Sequence, residues 1–396
     1  MSSLALEVAA HAAKVGETAS IKAVYRHNDI HLGRHMARAY QKFGIPVPED
    51  VLAATKFETD DSSIKKTHGI VASRPDEFDT EYLSLVDIGT PPQRVNLLFD
   101  SGSSDLWVFS SELPQDQVDG QRLFNPAKSR TASLLEGLTW HAEYADLSDA
   151  QGVVYNDVVT VGNLTVQNQA VEVARKVSQD FVSDPESSGV MGLSFGYGNN
   201  VEPTQQNTWF NNILPNLTQG LFTANLHYKA DGNYNFGYID PDEHIGEMVY
   251  TPVDDTYGSW MFNVSGYKIG NKSFQPQTLF SLADTGTTLL LLPEDITKSY
   301  YEDVEGAYLD TKQPGWAFNC NAELPDFSFA VKNELFTIPG RYIKRGPVRG
   351  RKGKCKGAIQ KSPREYPLFG CTALQVALVA FDIENVRIGW GHKKLV

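Results

Sequence analysis

From Glu81 onward, short runs rich in Val, Leu, Thr and aromatic residues recur between Gly, Asn, Asp and Pro. This texture predicts strands, among them Tyr82 to Ile88, Val95 to Phe99, Val153 to Val161 and Val376 to Phe381. Helical periodicity is scarce. Pro293-Glu294-Asp295 opens a helix with Ile296, Tyr300 and Val304 on one face, and Thr208 to Leu214 predicts a shorter one. No alternation of strand and helix runs along the chain, which disfavours a doubly wound parallel sheet. Residues 1–78 read differently. Met36, Tyr40 and Phe43 fall at helical spacing before Gly44 and Pro46, and Pro48-Glu49-Asp50 opens a second short helix through Val51, Leu52 and Ala54. Residues 57–80 are polar and read as an exposed linker.

Length and composition narrow the function classes. A chain of 396 residues with 41% hydrophobic residues, 17 Tyr, 20 Phe and 6 Trp has ample material for a core of two or three domains, or two large β ones. The net charge of −13 argues against a nucleic-acid partner. No apolar run approaches the roughly 18 residues of a membrane span. Three cysteines, Cys320, Cys355 and Cys371, exclude a disulfide scaffold and leave one bridge and one thiol if the compartment is oxidising. The run Leu4-Ala5-Leu6 is broken by Glu7, so no signal peptide is read. The expectation is a cytoplasmic protein as the chain is written, and a secreted one if the N-terminus is incomplete. Glycosylation sequons occur at Asn163, Asn216, Asn263 and Asn271.

One cassette occurs twice. Leu97-Leu98-Phe99-Asp100-Ser101-Gly102-Ser103-Ser104 is echoed by Leu282-Ala283-Asp284-Thr285-Gly286-Thr287-Thr288, the two aspartates lying 184 positions apart. An internal duplication is the economical explanation. An apolar strand ending in Asp-(Ser/Thr)-Gly-(Ser/Thr) puts a carboxylate at a sharp turn, where Gly lets backbone amides approach it and the hydroxyls hold it. Two such turns side by side would pair two carboxylates that cannot both ionise. One then activates water as a base while the other protonates a carbonyl oxygen. That chemistry needs no metal, cofactor or covalent nucleophile.

With these cassettes the chain resembles the pepsin-like aspartic proteases, closest to the fungal aspergillopepsin and penicillopepsin type. The likeness extends over nearly all of residues 35–396, through Ile88-Gly89-Thr90-Pro91-Pro92-Gln93, Asp105-Leu106-Trp107-Val108-Phe109, Asn235-Phe236-Gly237-Tyr238-Ile239-Asp240 and Arg387-Ile388-Gly389-Trp390. The resemblance implies a mostly β, bilobed fold with a deep cleft, divided here into a pro-like segment over 1–78 and lobes over 79–265 and 266–396. It implies Asp100 and Asp284 as the catalytic pair, supported by Ser101, Gly102, Ser103, Thr285, Gly286 and Thr287. It implies a flap carrying Tyr144 and Asp146, with Trp107 bonding the tyrosine, and a Cys320–Cys355 bridge. Lys42, in the pro-like segment, is the candidate for blocking the carboxylates, and a peptide or protein is the expected substrate of a monomeric enzyme.

Three departures from the family pattern stand out. The flap reads Tyr144-Ala145-Asp146-Leu147-Ser148, with Ala145 and Leu147 where glycines are usual, so that Leu147 projects into the cleft or stiffens the flap. Ser188 precedes Gly189, and Cys371 follows Gly370, each where a carboxylate is usual.

Other signals are weaker. Gly192-Leu193-Ser194-Phe195-Gly196 matches a serine nucleophile elbow, but no helix signal follows it. His27, His31 and His35 recur every fourth residue, but Gly33 interrupts them. The basic block Arg341, Lys344, Arg345, Arg349, Arg351, Lys352, Lys354 and Lys356 reads as a solvated loop, with docking of an acidic partner as its alternative. Three functions follow in order: an endopeptidase, an intracellular relative turned to acid–base chemistry on a small molecule in fungal secondary metabolism, and a catalytically quiet binding homologue.

Overall fold

The computed structural model describes residues 17–26, 36, 40, 47–49, 51, 81–143, 149–310, 314–348 and 351–395. The predicted strands form, as Glu81–Ile88, Gln93–Asp100, Asp149–Val161 and Ala377–Asp382. The short helix spans Trp209–Ile213, where the Thr208 hydroxyl accepts from the Asn211 N–H. The longer one spans Glu294–Tyr301 and starts with two acids, which suit its N-terminal end. It stops short of Val304, which is buried in the turn beyond.

Each half builds its cassette from the same parts. In the first half, Gln93–Asp100 runs parallel to Gly189–Gly192, with Asp100 opposite Gly192. In the second, Leu279–Ala283 runs parallel to Leu368–Phe369, with Ala283 opposite Phe369, which sets Asp284 beside Gly370. The halves are joined by one sheet. In it Leu221–His227 pairs with Ala230–Phe236 on one side and Ala377–Asp382 on the other, and Arg387–His392 and Ile245–Asp254 extend it. Its core is aromatic: Phe222 and Phe381 stack at 4.5 Å, and Trp260 packs edge-on to both.

A strand also forms where none was expected. Ala19–Arg26 enters this sheet between Ala230–Phe236 and Glu81–Ile88, pairing Ile21 with Tyr234 and Val24 with Leu83. Ala19, Ile21 and Ala23 are buried while Ser20 and Lys22 are exposed, the period-two pattern of a half-buried strand. Of the helices expected over residues 35–54, Met36, Tyr40, Glu49 and Val51 are described, in helical backbone, and the rest lies outside the described residues, as do Lys42 and His27, His31 and His35.

A disulfide joins Cys320 and Cys355, and Cys371 is a buried thiol. The basic block is not a solvated run. Arg345 is buried and donates to the Thr288 carbonyl and the Thr372 hydroxyl. Lys344 donates to the carbonyls of Cys320 and Ala322, Arg351 pairs with buried Asp310, and Lys354 donates to Asn319. These four cations tie segments of the second half together, while Arg341 and Lys352 are exposed.

Candidate active site

Asp100 ends its strand and Asp284 directly follows Leu279–Ala283, each at the sharp turn its cassette implies, and both are buried. Gly102 N–H donates to Asp100 Oδ1 at 2.9 Å, and Ser103 Oγ donates to Oδ2 at 2.5 Å. The second turn repeats this, with Gly286 N–H to Asp284 Oδ1 at 2.9 Å and Thr287 Oγ1 to Oδ2 at 2.7 Å. Each carboxylate thus accepts one amide and one hydroxyl hydrogen bond from its own turn.

The turns also bind each other. Ser101 N–H donates to Thr285 Oγ1 at 2.9 Å, and Thr285 N–H donates to Ser101 Oγ at 3.0 Å. The hydroxyls in turn donate across, Ser101 Oγ to the Ala283 carbonyl and Thr285 Oγ1 to the Phe99 carbonyl. Gly286 lies against the other half's carboxylate: a Cβ there would sit 2.3 Å from Asp100 Oδ1. A side chain at this position would occupy the space of the acid itself, so the glycine is what lets one turn close on the other.

Beneath the first turn lies a polar cluster. Asp105 accepts from the Asn199 and Asn200 side chains and the Asn200 N–H, and Asn199 also donates to Glu172. Both acids are buried. Burial pushes the Asp105 carboxyl up to about 6 against the pull of its Asn200 hydrogen bonds, and burial plus the neighbouring Asp105 push Glu172 well above the usual carboxylate range. Sequence reading met Asp105 only as a flank of the cassette and missed Glu172. The available signal was one acid inside the apolar run Ala170-Val171-Glu172-Val173-Ala174.

The remaining expected residues fall as follows. The strands Ser133–Glu143 and Asp149–Val161 form the hairpin predicted to carry the flap, and Tyr144, Asp146 and Leu147 lie outside the described residues. Trp107 is buried and stacks at 5.9 Å on Trp140, which lies on the first strand of that hairpin. Ser188 takes a structural place, its hydroxyl accepting from the Arg122 N–H and its carbonyl from Phe109. Ser194 is fully buried and donates to the Gly258 carbonyl at 2.6 Å, which removes it as a nucleophile. Among the described residues no cluster of His, Cys, Asp and Glu is arranged to hold a metal ion.

The eukaryotic aspartyl protease family model matches residues 81–393. The chain is 43% identical over 346 residues to endothiapepsin of Cryphonectria parasitica, covering 87% of this chain and 83% of that protein. It is 41% identical over 357 residues to penicillopepsin-3 of Penicillium janthinellum, covering 90% and 87%. It is 40% identical over 377 residues to podosporapepsin of Podospora anserina, covering 93% and 89%.

Proposed function

The chain belongs to the eukaryotic aspartyl protease family, and from that premise we propose that it is an endopeptidase whose catalytic groups are Asp100 and Asp284. The observation that carries this reading is the closure of the two turns on each other, with Gly286 against the Asp100 carboxylate and the Ser101 and Thr285 hydroxyls crossing between halves. Such closure brings together two acids held by equivalent donors, so that one is ionised and the other protonated in the working state. The ionised carboxylate takes a proton from water as its oxygen attacks the peptide carbonyl carbon, and the protonated one gives its proton to the carbonyl oxygen. The tetrahedral product collapses when the amide nitrogen takes the proton that the first carboxylate drew from water and a hydroxyl of that product returns its proton to the other carboxylate, so that the C–N bond breaks, a free acid and amine leave, and the pair is restored. The Ser103 and Thr287 hydroxyls hold each carboxylate face while this happens.

The proposal extends to organisation and compartment. Residues 1–78 are read as a pro-segment, ahead of lobes over 79–265 and 266–396. The Cys320–Cys355 bridge supports an oxidising, extracellular setting. A second reading, acid–base chemistry on a small molecule, rests on Ala145 and Leu147 in the flap sequence, where bulk replaces hairpin glycines.

The test is peptide cleavage by the purified chain across roughly pH 3 to 7, with pepstatin and Asp100→Asn as controls. Mass spectrometry follows loss of the N-terminal segment. Pepstatin-sensitive cleavage, reduced by roughly 10²–10⁴-fold in Asp100→Asn, is the expected result. An intact chain that cleaves nothing at any pH overturns the endopeptidase and leaves the small-molecule reading.

A further inference from the structure

The two turns are alike from above and unlike from below. Asp100 lies beside Gly192, and Asp284 beside Gly370. A Cβ on Gly192 would meet the Ser103 carbonyl, and one on Gly370 would meet the equivalent Thr287 carbonyl. The next residue is therefore the structural counterpart in each half: Leu193 in the first, Cys371 in the second. Leu193 contributes a buried aliphatic side chain and a backbone N–H to the Asp100 carbonyl. Cys371 contributes a thiol, whose Sγ donates to the Thr285 carbonyl at 3.2 Å, while its N–H donates to the Thr287 carbonyl at 2.7 Å. Thr372 then reaches the Thr288 carbonyl with both its N–H and its hydroxyl.

Residues 371 and 372 thus hold the Asp284 turn by three carbonyls, and the first is that of Thr285. Every polar atom of Thr285 is engaged: its hydroxyl and N–H cross to the first half, and its carbonyl takes the thiol. A second observation falls on the same spot. Tyr234 is fully buried, its ring 5.1 Å from that of Phe99, and its hydroxyl faces Thr285 and Cys371 yet makes no hydrogen bond among the described residues. A buried phenol without a partner is costly and calls for an acceptor or a water at this point.

We propose that Cys371 is a positioning residue for the Asp100/Asp284 pair, its thiol and the neighbouring Tyr234 hydroxyl forming an uncharged polar floor that fixes the Thr285 peptide and so the pH range in which the pair works. The titratable and charged groups around this floor are Asp284 and Asp100 on the turns, Tyr234 on the sheet, and Arg345, which bonds Thr372 and Thr288. A carboxylate at position 371 would add a negative charge beneath the pair and give Tyr234 its acceptor. The thiol does neither, so no charge is added beneath the Asp284 turn. The proposal rests on the endopeptidase reading.

The experiment compares wild type with Cys371→Ala, Cys371→Ser and Cys371→Asp in pH profiles of kcat and KM, with unfolding midpoints measured alongside. Cys371→Ala is expected to lower kcat roughly two- to fivefold with KM little changed, the size of one modest hydrogen bond. Cys371→Ser, which keeps a donor, restores the wild-type profile. Cys371→Asp displaces the pH limbs, and adding Tyr234→Phe, which removes the phenol facing the new carboxylate, changes that profile further. Wild-type pH limbs and kcat in Cys371→Ala overturn the proposal. A wild type that cleaves no peptide overturns the endopeptidase reading instead, and two measurements without turnover then decide the floor. One is the infrared S–H stretch of the chain's single thiol, expected red-shifted by hydrogen bonding. The other is the carboxyl titration of carbon-13-labelled aspartates, expected to differ between wild type and Cys371→Ala. An unshifted S–H band, or identical titrations, overturns the proposal.

Discussion

Ser101 and Thr285 each bond the other's backbone N–H through a hydroxyl, and each hydroxyl donates onward to a carbonyl of the opposite half. Both residues are buried, so removing one hydroxyl leaves an N–H and a carbonyl without water to replace it. Thr285→Ala is expected to cost about 2–4 kcal/mol in urea unfolding, from two buried groups left unpaired. Ser101→Ala should cost a similar amount. The double variant should cost clearly less than the sum, because both substitutions break one shared network. Strictly additive losses would mean that the two hydroxyls act independently.

Gly286 offers a substitution that separates function from folding. An added methyl would lie 2.3 Å from Asp100 Oδ1 and 2.4 Å from its carboxyl carbon. Gly286→Ala therefore displaces the Asp100 carboxyl or parts the turns. A fall of roughly a hundredfold or more in kcat is expected, on the scale of an ångström of misplacement at a reacting group. Circular dichroism should retain the wild-type spectrum. Full activity in this variant would show that the turns can part without consequence.

The Asp105–Glu172 pair makes stability depend on pH. Both carboxyls are held above their ordinary values by burial, so the folded chain binds more protons than the unfolded one as pH rises. Their contribution is complete below about pH 3.8, the ordinary value for Asp, and Asp105 loses its share as pH passes about 6. His227, pushed down to about 4 by burial and by Lys393, acts in the opposite sense over the same interval. It is a single, half-buried group set against two enclosed acids, so the melting temperature is expected to fall from pH 4 to pH 7. Glu172→Gln should flatten that slope. A midpoint that rises with pH, or a slope unaltered in Glu172→Gln, would contradict this account.

All four sequon asparagines, Asn163, Asn216, Asn263 and Asn271, are exposed. Asn163 follows Gly162, in the left-handed region at φ +62°, in the tight turn between Val161 and Leu164. A chain made in a secretory host should carry glycan there, seen as a mass loss on treatment with an amidase that strips N-glycans. Asn163→Gln should remove one step of that loss. No mass change in such material would count against the extracellular setting.

Much of the site was legible because its signals are local. The two cassettes are short, contiguous and repeated, and the strands flanking them are apolar runs visible in the sequence. What escaped reading depends on partners far along the chain. Ala19–Arg26 alternates as a strand should, but its neighbours begin at residues 81 and 230. The basic block looked solvated because the groups that satisfy Arg345, Thr288 and Thr372, lie on other segments. Glu172 is one acid in an apolar strand, and only the fold shows that Asn199 and Asp105 meet it.

The strand Ala19–Arg26 also sets an order of events during synthesis. Ala19 pairs with Phe236, 217 residues later (236 minus 19), so this segment leaves the ribosome well before the neighbour it pairs with has been made. At ordinary translation rates that delay is roughly 10–40 s. Throughout it Ala19, Ile21 and Ala23 wait without the partners they pair with in the fold, the state in which nascent chains associate wrongly or recruit chaperones.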